Sequence, residues 1–425
     1  MRAQTEPVAN RWAIVIAAIF MQLALGAVYA WSVFVKPLQQ ANPHWNKTDV
    51  TTTFTLAIFF LGVGSTIGGF WMDRTGPRLV ATAAGVCYGL GVFLSGFAGS
   101  SLQALWLTYG VLGGIGMGLG YIVPVATLVK WFPDKRGLIT GLAVGGFGAG
   151  AVITAPVATK LIGTPGVGVY KTFSILGVIY FIFVVVAAQF YRNPPPGYRP
   201  AGWQPTAAQV SQRASRDYTL GESLRTWQWF VLWAILFLNV SAGIMLISQA
   251  SSMAQEIFGV SAITAASLVS LISIFNGGGR VFWAWLSDII TRRYVFLIMF
   301  LLQCVLFLVM VRAATAKTYP LFVVMALIVA LCYGGGFGTM PSFAADYFGP
   351  KYSGFVYGTM LTAWGAGGIL GPILIAQVRD RTGGYTQAMV IIAIIMLLSA
   401  ILPFIVRPPT TQPIEAGAPV EQPAD

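Results

Sequence analysis

Arg280 is the one charged side chain in the middle of a long apolar stretch, within Ser273-Ile-Phe-Asn276-Gly-Gly-Gly-Arg280-Val-Phe-Trp. An arginine at bilayer depth costs about 2.5–3.5 kcal/mol on insertion scales, so it needs a partner or a ligand. All 13 Asp and Glu fall in loops, tails or segment ends, which leaves no acid at the same depth. A planar guanidinium binds a carboxylate through two parallel hydrogen bonds. Neutralisation by backbone carbonyls or aromatic rings is the alternative. Asn276 lies one helical turn earlier on the same face, able to hold the guanidinium, donate to a ligand or bridge two helices. The three glycines between them admit another backbone, or a small ligand, at close range.

Other residues extend this anion site. Tyr29, Tyr121 and Tyr333 lie near the middle or inner half of their apolar segments, the last two beside glycine runs. They offer hydroxyls to a ligand, or they simply pack. Val28, Leu361 and Trp364 are candidates for an apolar wall that would favour a methyl group over a second carboxylate. Other chemistries find no support. Cys87, Cys304 and Cys332 are far apart with no CxxC, and the single His44 is in a loop, so no metal or disulfide is expected. The glycines at 113, 114, 116, 118 and 120 lack the following Lys-Ser/Thr of a phosphate loop. No cofactor is expected, and no nucleophile–base set suggests an enzyme.

The composition decides the medium. Of 425 residues, 56% are hydrophobic and 9% charged, against about 25% charged in an ordinary globular domain. The mean hydropathy is +0.75. The net charge of +12 does not mark a nucleic-acid binder, because the basic residues come one to three at a time between apolar segments. At about 20 residues per span, twelve segments run approximately 12–36, 50–72, 79–99, 103–131, 137–162, 170–191, 227–255, 262–287, 294–312, 319–346, 353–378 and 385–406. The first is too long for a cleaved signal.

These segments divide six and six. We expect an N-terminal bundle at 1–191, a solvated linker at 192–226, a C-terminal bundle at 227–407 and a disordered tail at 408–425. With both termini inside, the interior face carries 16 Lys and Arg and the outer face 8, Arg280 completing the 25. The positive-inside rule then predicts a multi-pass protein of the inner (cytoplasmic) membrane with both termini cytoplasmic. The halves repeat at an offset near 215: Gly69-Phe-Trp-Met-Asp73-Arg74-Thr-Gly-Pro-Arg78 answers Ala284-Trp-Leu-Ser-Asp288-Ile-Ile-Thr-Arg292-Arg293. Trp131-Phe-Pro-Asp-Lys-Arg-Gly137 answers Tyr347-Phe-Gly-Pro-Lys-Tyr-Ser-Gly354 in the same way. Duplicated six-helix halves with a site at their interface describe a secondary transporter.

The Gly-x-x-x-Asp-Arg-x-Gly-x-Arg pattern at Gly69–Arg78 resembles the signature of the major facilitator superfamily. The second copy keeps Asp288, Arg292 and Arg293 but lacks both glycines. Tyr29-Ala-Trp31-Ser, Trp131–Gly137 and Asn276-Gly-Gly-Gly-Arg280 narrow the resemblance to the monocarboxylate porter family, near its bacterial oxalate and formate exchangers. The resemblance implies twelve transmembrane helices in two pseudo-symmetric bundles, with Arg280 binding the substrate carboxylate. It implies that Tyr121 and Tyr333 line the pocket. It also implies that Asp73, Arg74, Arg78, Asp288, Arg292 and Arg293 form a cytoplasmic gate. Plain positive-inside topology explains those arginines but not the repeated aspartates.

Two departures shape the functional expectation. The second cation of the oxalate exchangers is replaced here by Trp364, which favours a monoanion. The acid and lysine tied to proton coupling in animal relatives are absent, Asn276 standing where the acid would be. The resulting expectation is a carrier of small monocarboxylates, L-lactate and pyruvate-like acids first, with a proton as co-substrate. The alternatives are a formate or oxalate exchanger and a non-transporting carboxylate receptor.

Overall fold

The computed structural model describes residues 10–45, 47–200, 202, 204 and 216–409. Among these, every regular element is helical. Twelve long helical segments follow in order: α1 (Arg11–Trp31), α2 (Lys47–Thr75), α3 (Pro77–Ser95), α4 (Leu102–Trp131), α5 (Arg136–Ile162) and α6 (Gly168–Ala188). The second half supplies α7 (Trp227–Phe258), α8 (Ala262–Ile290), α9 (Arg292–Thr315), α10 (Tyr319–Phe348), α11 (Ser353–Met360 with Thr362–Thr382) and α12 (Thr386–Ile405). Ten of these segments meet a length and hydropathy criterion for crossing a membrane. The other two, α8 and α11, occupy the places expected for spans eight and eleven.

Backbone irregularities fall inside the spans, where sequence periodicity does not reveal them. Helix α1 tightens into a 3₁₀ stretch at Gly26–Trp31 before resuming as Ser32–Ala41. Helix α4 widens to π-helical over Trp106–Gly113. Helix α11 breaks at Leu361, whose amide is shared between the carbonyls of Tyr357 and Gly358. Of the expected linker, residues 216–226 pack back on the C-terminal half, where the Tyr218 amide donates to Phe348 O at 2.8 Å and the Lys351 amide to Asp217 at 3.1 Å. A four-residue helix at Leu220–Ser223 carries a Thr219/Glu222 capping box. The tail beyond residue 409 lies outside the described residues.

The pseudo-repeat is visible in backbone angles as well as residue types. Gly76 ends α2 with φ 85°, and Thr291, 215 residues later, ends α8 with φ 80° and ψ 150°. Both halves therefore turn the same way, one with glycine and one with a β-branched residue that pays for it in strain.

Candidate functional site

Helix α8 carries Arg280 between α5 and α10, and small residues set its distance from both. A Cβ on Gly141 of α5 would lie 2.5 Å from Arg280 O, and one on Gly338 of α10 would lie 2.1 Å from the same oxygen. Of the three glycines before Arg280, Gly277 and Gly279 meet neighbouring backbone, whereas Gly278 has nothing within 4 Å of such a Cβ.

Arg280 is fully buried and has no ion-pair partner among the described residues. Its Nε donates to Asn276 Oδ1 at 3.4 Å, Nη1 to Val144 O at 3.3 Å and Nη2 to Tyr29 Oη at 3.4 Å. Charge-assisted bonds of good geometry are about 2.7–2.9 Å, so these three are long. The guanidinium lies 4.8 Å from the Phe337 ring centroid and 5.3 Å from that of Phe147. Cation–π contact and a backbone carbonyl soften the charge without cancelling it.

An aromatic enclosure closes around this cation. Trp364 approaches Phe337 at 4.5 Å, Tyr121 at 5.7 Å, Phe147 at 5.7 Å and Tyr29 at 6.5 Å between ring centroids. Tyr29 and Tyr333 bring their hydroxyls within 3.5 Å of each other across the two bundles. Tyr121 faces Arg280 and Tyr357, and the Trp364 indole N–H faces the Tyr333 hydroxyl, in contacts looser than a well-formed hydrogen bond. The walls thus come from α1, α4 and α5 on one side and α8, α10 and α11 on the other.

At the basic ends of the helices, two aspartates tie the bundles together. Asp73, ending α2, accepts from the Phe355 amide at the start of α11 at 3.3 Å and lies 3.6 Å from Lys130. Asp288, ending α8, accepts from the Gly137 and Leu138 amides at the start of α5 at 3.1 and 2.9 Å. Each aspartate meets the positive end of a helix dipole in the opposite bundle. Arg136 of α5 adds an ion pair to Asp346 of α10 at 2.8 Å, and Asp346 also holds Arg292 at 3.3 Å.

The sequence profile of the Major Facilitator Superfamily matches residues 9–372, and a second alignment covers 232–423. The chain belongs to that superfamily. An uncharacterised MFS-type transporter of Escherichia coli (strain K12) is 33% identical, covering 85% of this chain and 86% of its own. The oxalate:formate antiporter of Oxalobacter formigenes is 30% identical over 96% of this chain and 94% of its own. Monocarboxylate transporter 13 of Rattus norvegicus is 25% identical over 93% and 89%. A crystal structure of the human organic anion transporter MFSD10 superposes with a TM-score of 0.72 over 94% of this chain and all of its own, at 15% identity. The similarity to monocarboxylate porters expected from the motifs is thus present in the relatives. The protein is an all-helical, multi-pass membrane transporter, and family membership, rather than a missing active site, separates it from enzymes.

The expected site residues divide clearly in space. Arg280, Asn276, Tyr29, Tyr121, Tyr333 and Trp364 gather in one enclosure. Val28 is buried beside Tyr29 in the 3₁₀ stretch, and Leu361 is buried at the α11 break. Asp73 and Asp288 span the bundles, and Arg292 pairs directly with Asp288 at 2.6 Å and with Asp346 at 3.3 Å. Arg74 instead lies 3.8 Å over the Phe70 ring, Arg78 is exposed, and Arg293 caps carbonyls of Pro403 and Phe404 in its own bundle. Sequence reasoning missed Phe147, Phe337, Tyr357, Arg136 and Asp346. One signal was available: Phe147 and Phe337 each stand in a Gly-Gly-Phe-Gly run, where glycines let a partner helix reach the ring.

Proposed function

We propose that this transporter carries small monocarboxylate anions, L-lactate first and pyruvate-like acids beside it, by alternating access around Arg280. The supporting observation is the fully buried Arg280, without an acid partner among the described residues and held by three long hydrogen bonds. A carboxylate can replace those bonds with two short, charge-assisted ones. Relatives that carry oxalate, formate and monocarboxylates by name support an organic-anion substrate. One fixed cation beside the Trp364 indole suits one carboxylate better than two.

The contacts of Asp73 and Asp288 serve as the closed cytoplasmic gate, with both termini in the cytoplasm and the protein in the inner membrane. An empty Arg280 is an unpaired buried charge and a loaded one is neutralised, so reorientation is easier with the anion bound. Lactate entering with one proton leaves the complex with the charge of the empty carrier, which fits electroneutral symport. Proteoliposomes given labelled lactate with and without an inward proton gradient test the coupling. Uptake accelerated by the gradient supports symport, and uptake indifferent to it but driven by internal oxalate or formate replaces this reading with exchange.

A further inference from the structure

The two seams between the bundles are built differently on their lipid faces. Along α5 and α8 a groove of about 390 Å³ runs between Leu142, Gly145, Ala149 and Ile153 on one side and Ile274 and Gly278 on the other. A Cβ on Gly278 would meet nothing within 4 Å, and Ile153 and Ile274 are each more than half exposed. Ser273, also in the wall, gives its hydroxyl to Val269 O at 3.1 Å, so the lining is apolar. Behind the groove the helices touch, since a Cβ on Gly148 would lie 2.6 Å from Gly277 Cα. The groove is therefore a furrow in the membrane-facing surface, separate from the Arg280 enclosure.

The other seam is filled by the chain itself. At the repeat positions 215 residues earlier, α2 keeps Gly62 for Gly277 but has Val63 for Gly278 and Phe59 for Ile274. Phe59 packs on α11, where a Cβ on Gly365 would lie 3.8 Å from its Cα. The α5–α8 seam lacks those side chains, and an empty furrow forfeits the dispersion contacts of its walls. At bilayer depth the available filler is hydrocarbon rather than water. Lys160 marks where that hydrocarbon is tethered. It is exposed, two helical turns beyond Ile153 on the same face of α5. At 1.5 Å per residue the groove runs from about 10 Å to about 27 Å below Lys160, within the depth of a hydrocarbon core of roughly 30 Å.

We propose that the α5–α8 groove seats one acyl chain of a phospholipid whose phosphate is held by Lys160. The seat is independent of which anion is carried. Its walls belong to both bundles, so a seated chain bridges the two halves of the carrier and makes turnover sensitive to lipid composition.

The test places the full chain in phosphatidylcholine nanodiscs with increasing fractions of a phosphatidylglycerol bearing a photoreactive diazirine on its acyl chain. Labelled residues are read by mass spectrometry. Labelling at Ile153 and Ile274 should saturate at low probe fraction and exceed that at Ile182 and Phe183 of α6, which are about as exposed, by about threefold or more. Gly278→Leu puts a side chain where the acyl chain lies and should lower the groove to the α6 level. Lys160→Glu leaves the packing untouched and should weaken labelling about fivefold, the worth of one lysine beside an anionic headgroup. That exposed substitution decides the matter even if Gly278→Leu fails to fold. Labelling that rises in proportion to the probe and matches α6 reports bulk lipid only and overturns the seat. Labelling unchanged in either folded variant overturns it as well.

Discussion

Asp288 accepts a hydrogen bond from the Leu138 amide at 2.9 Å, joining the end of α8 in one bundle to the start of α5 in the other. Its repeat partner Asp73 does the same for Phe355 at 3.3 Å. Two carboxylates, 215 positions apart in the chain, therefore clasp the two seams of one carrier. The clasps are alike in their aspartates and unlike in their surroundings. Lys130 attends Asp73, whereas the Arg136–Asp346–Arg292 cluster attends Asp288.

Removing a clasp should open this end without emptying the anion site. Asp288→Ala should slow lactate uptake by about tenfold and increase alkylation of a cysteine placed at Leu138, read by mass shift in membrane vesicles. Unchanged accessibility in that variant would deny Asp288 a gating role.

Asp346→Ala leaves Arg136 buried without its counterion and Arg292 with Asp288 alone. Breaking a buried pair from one side costs on the order of 3 kcal/mol. The detergent-purified variant should melt several degrees lower, and Asp346→Asn should recover little. A melting temperature within a degree of wild type would contradict the buried cluster.

Thr291 offers a gain rather than a loss. Its φ of 80° with ψ 150° belongs to glycine, and the equivalent turn in the first half uses Gly76. Thr291→Gly should raise stability by about 1 kcal/mol, the lower end of the strain a residue stores in such a region. Thermal unfolding would reveal it, and a decrease in stability would mean that the threonine side chain earns its place.

The packing of α8 gives a paired test. Gly338→Ala places a methyl against Arg280 O and should destabilise the protein by about 1–3 kcal/mol. Gly278→Ala meets open space and should be neutral or slightly stabilising, since it also restricts the unfolded chain. Equal effects of the two substitutions would reject the close approach of α8 and α10.

Much of this molecule was legible before its structure. Arg280 announced itself through charge economics, because a lone cation in apolar sequence has few cheap explanations. The repeat was legible because Asp73 and Asp288 return at one offset, though the lost glycine concealed that Thr291 makes the Gly76 turn. The breaks at Gly26 and Leu361 were not legible. They occur in uniformly apolar stretches, where hydropathy has no contrast and tertiary packing decides the backbone. Tyr357 was missed for the same reason: it faces the enclosure only because α4 and α11 meet there, and nothing local distinguishes it from Tyr352. The proposed gate was half legible, since the same residue type covers Arg292, tied into a buried cluster, and Arg78, exposed at a helix start.

The most direct test of the central claim is uptake of labelled L-lactate into proteoliposomes by wild type, Arg280→Lys and Arg280→Ala. Arg280→Lys keeps a charge but loses the two-pronged fork, and should raise the half-saturation concentration by roughly tenfold to a hundredfold. Arg280→Ala should abolish uptake while remaining folded by size-exclusion profile. Lactate uptake by a folded Arg280→Ala at the wild-type rate and half-saturation would contradict the account, because the carboxylate would then be bound elsewhere.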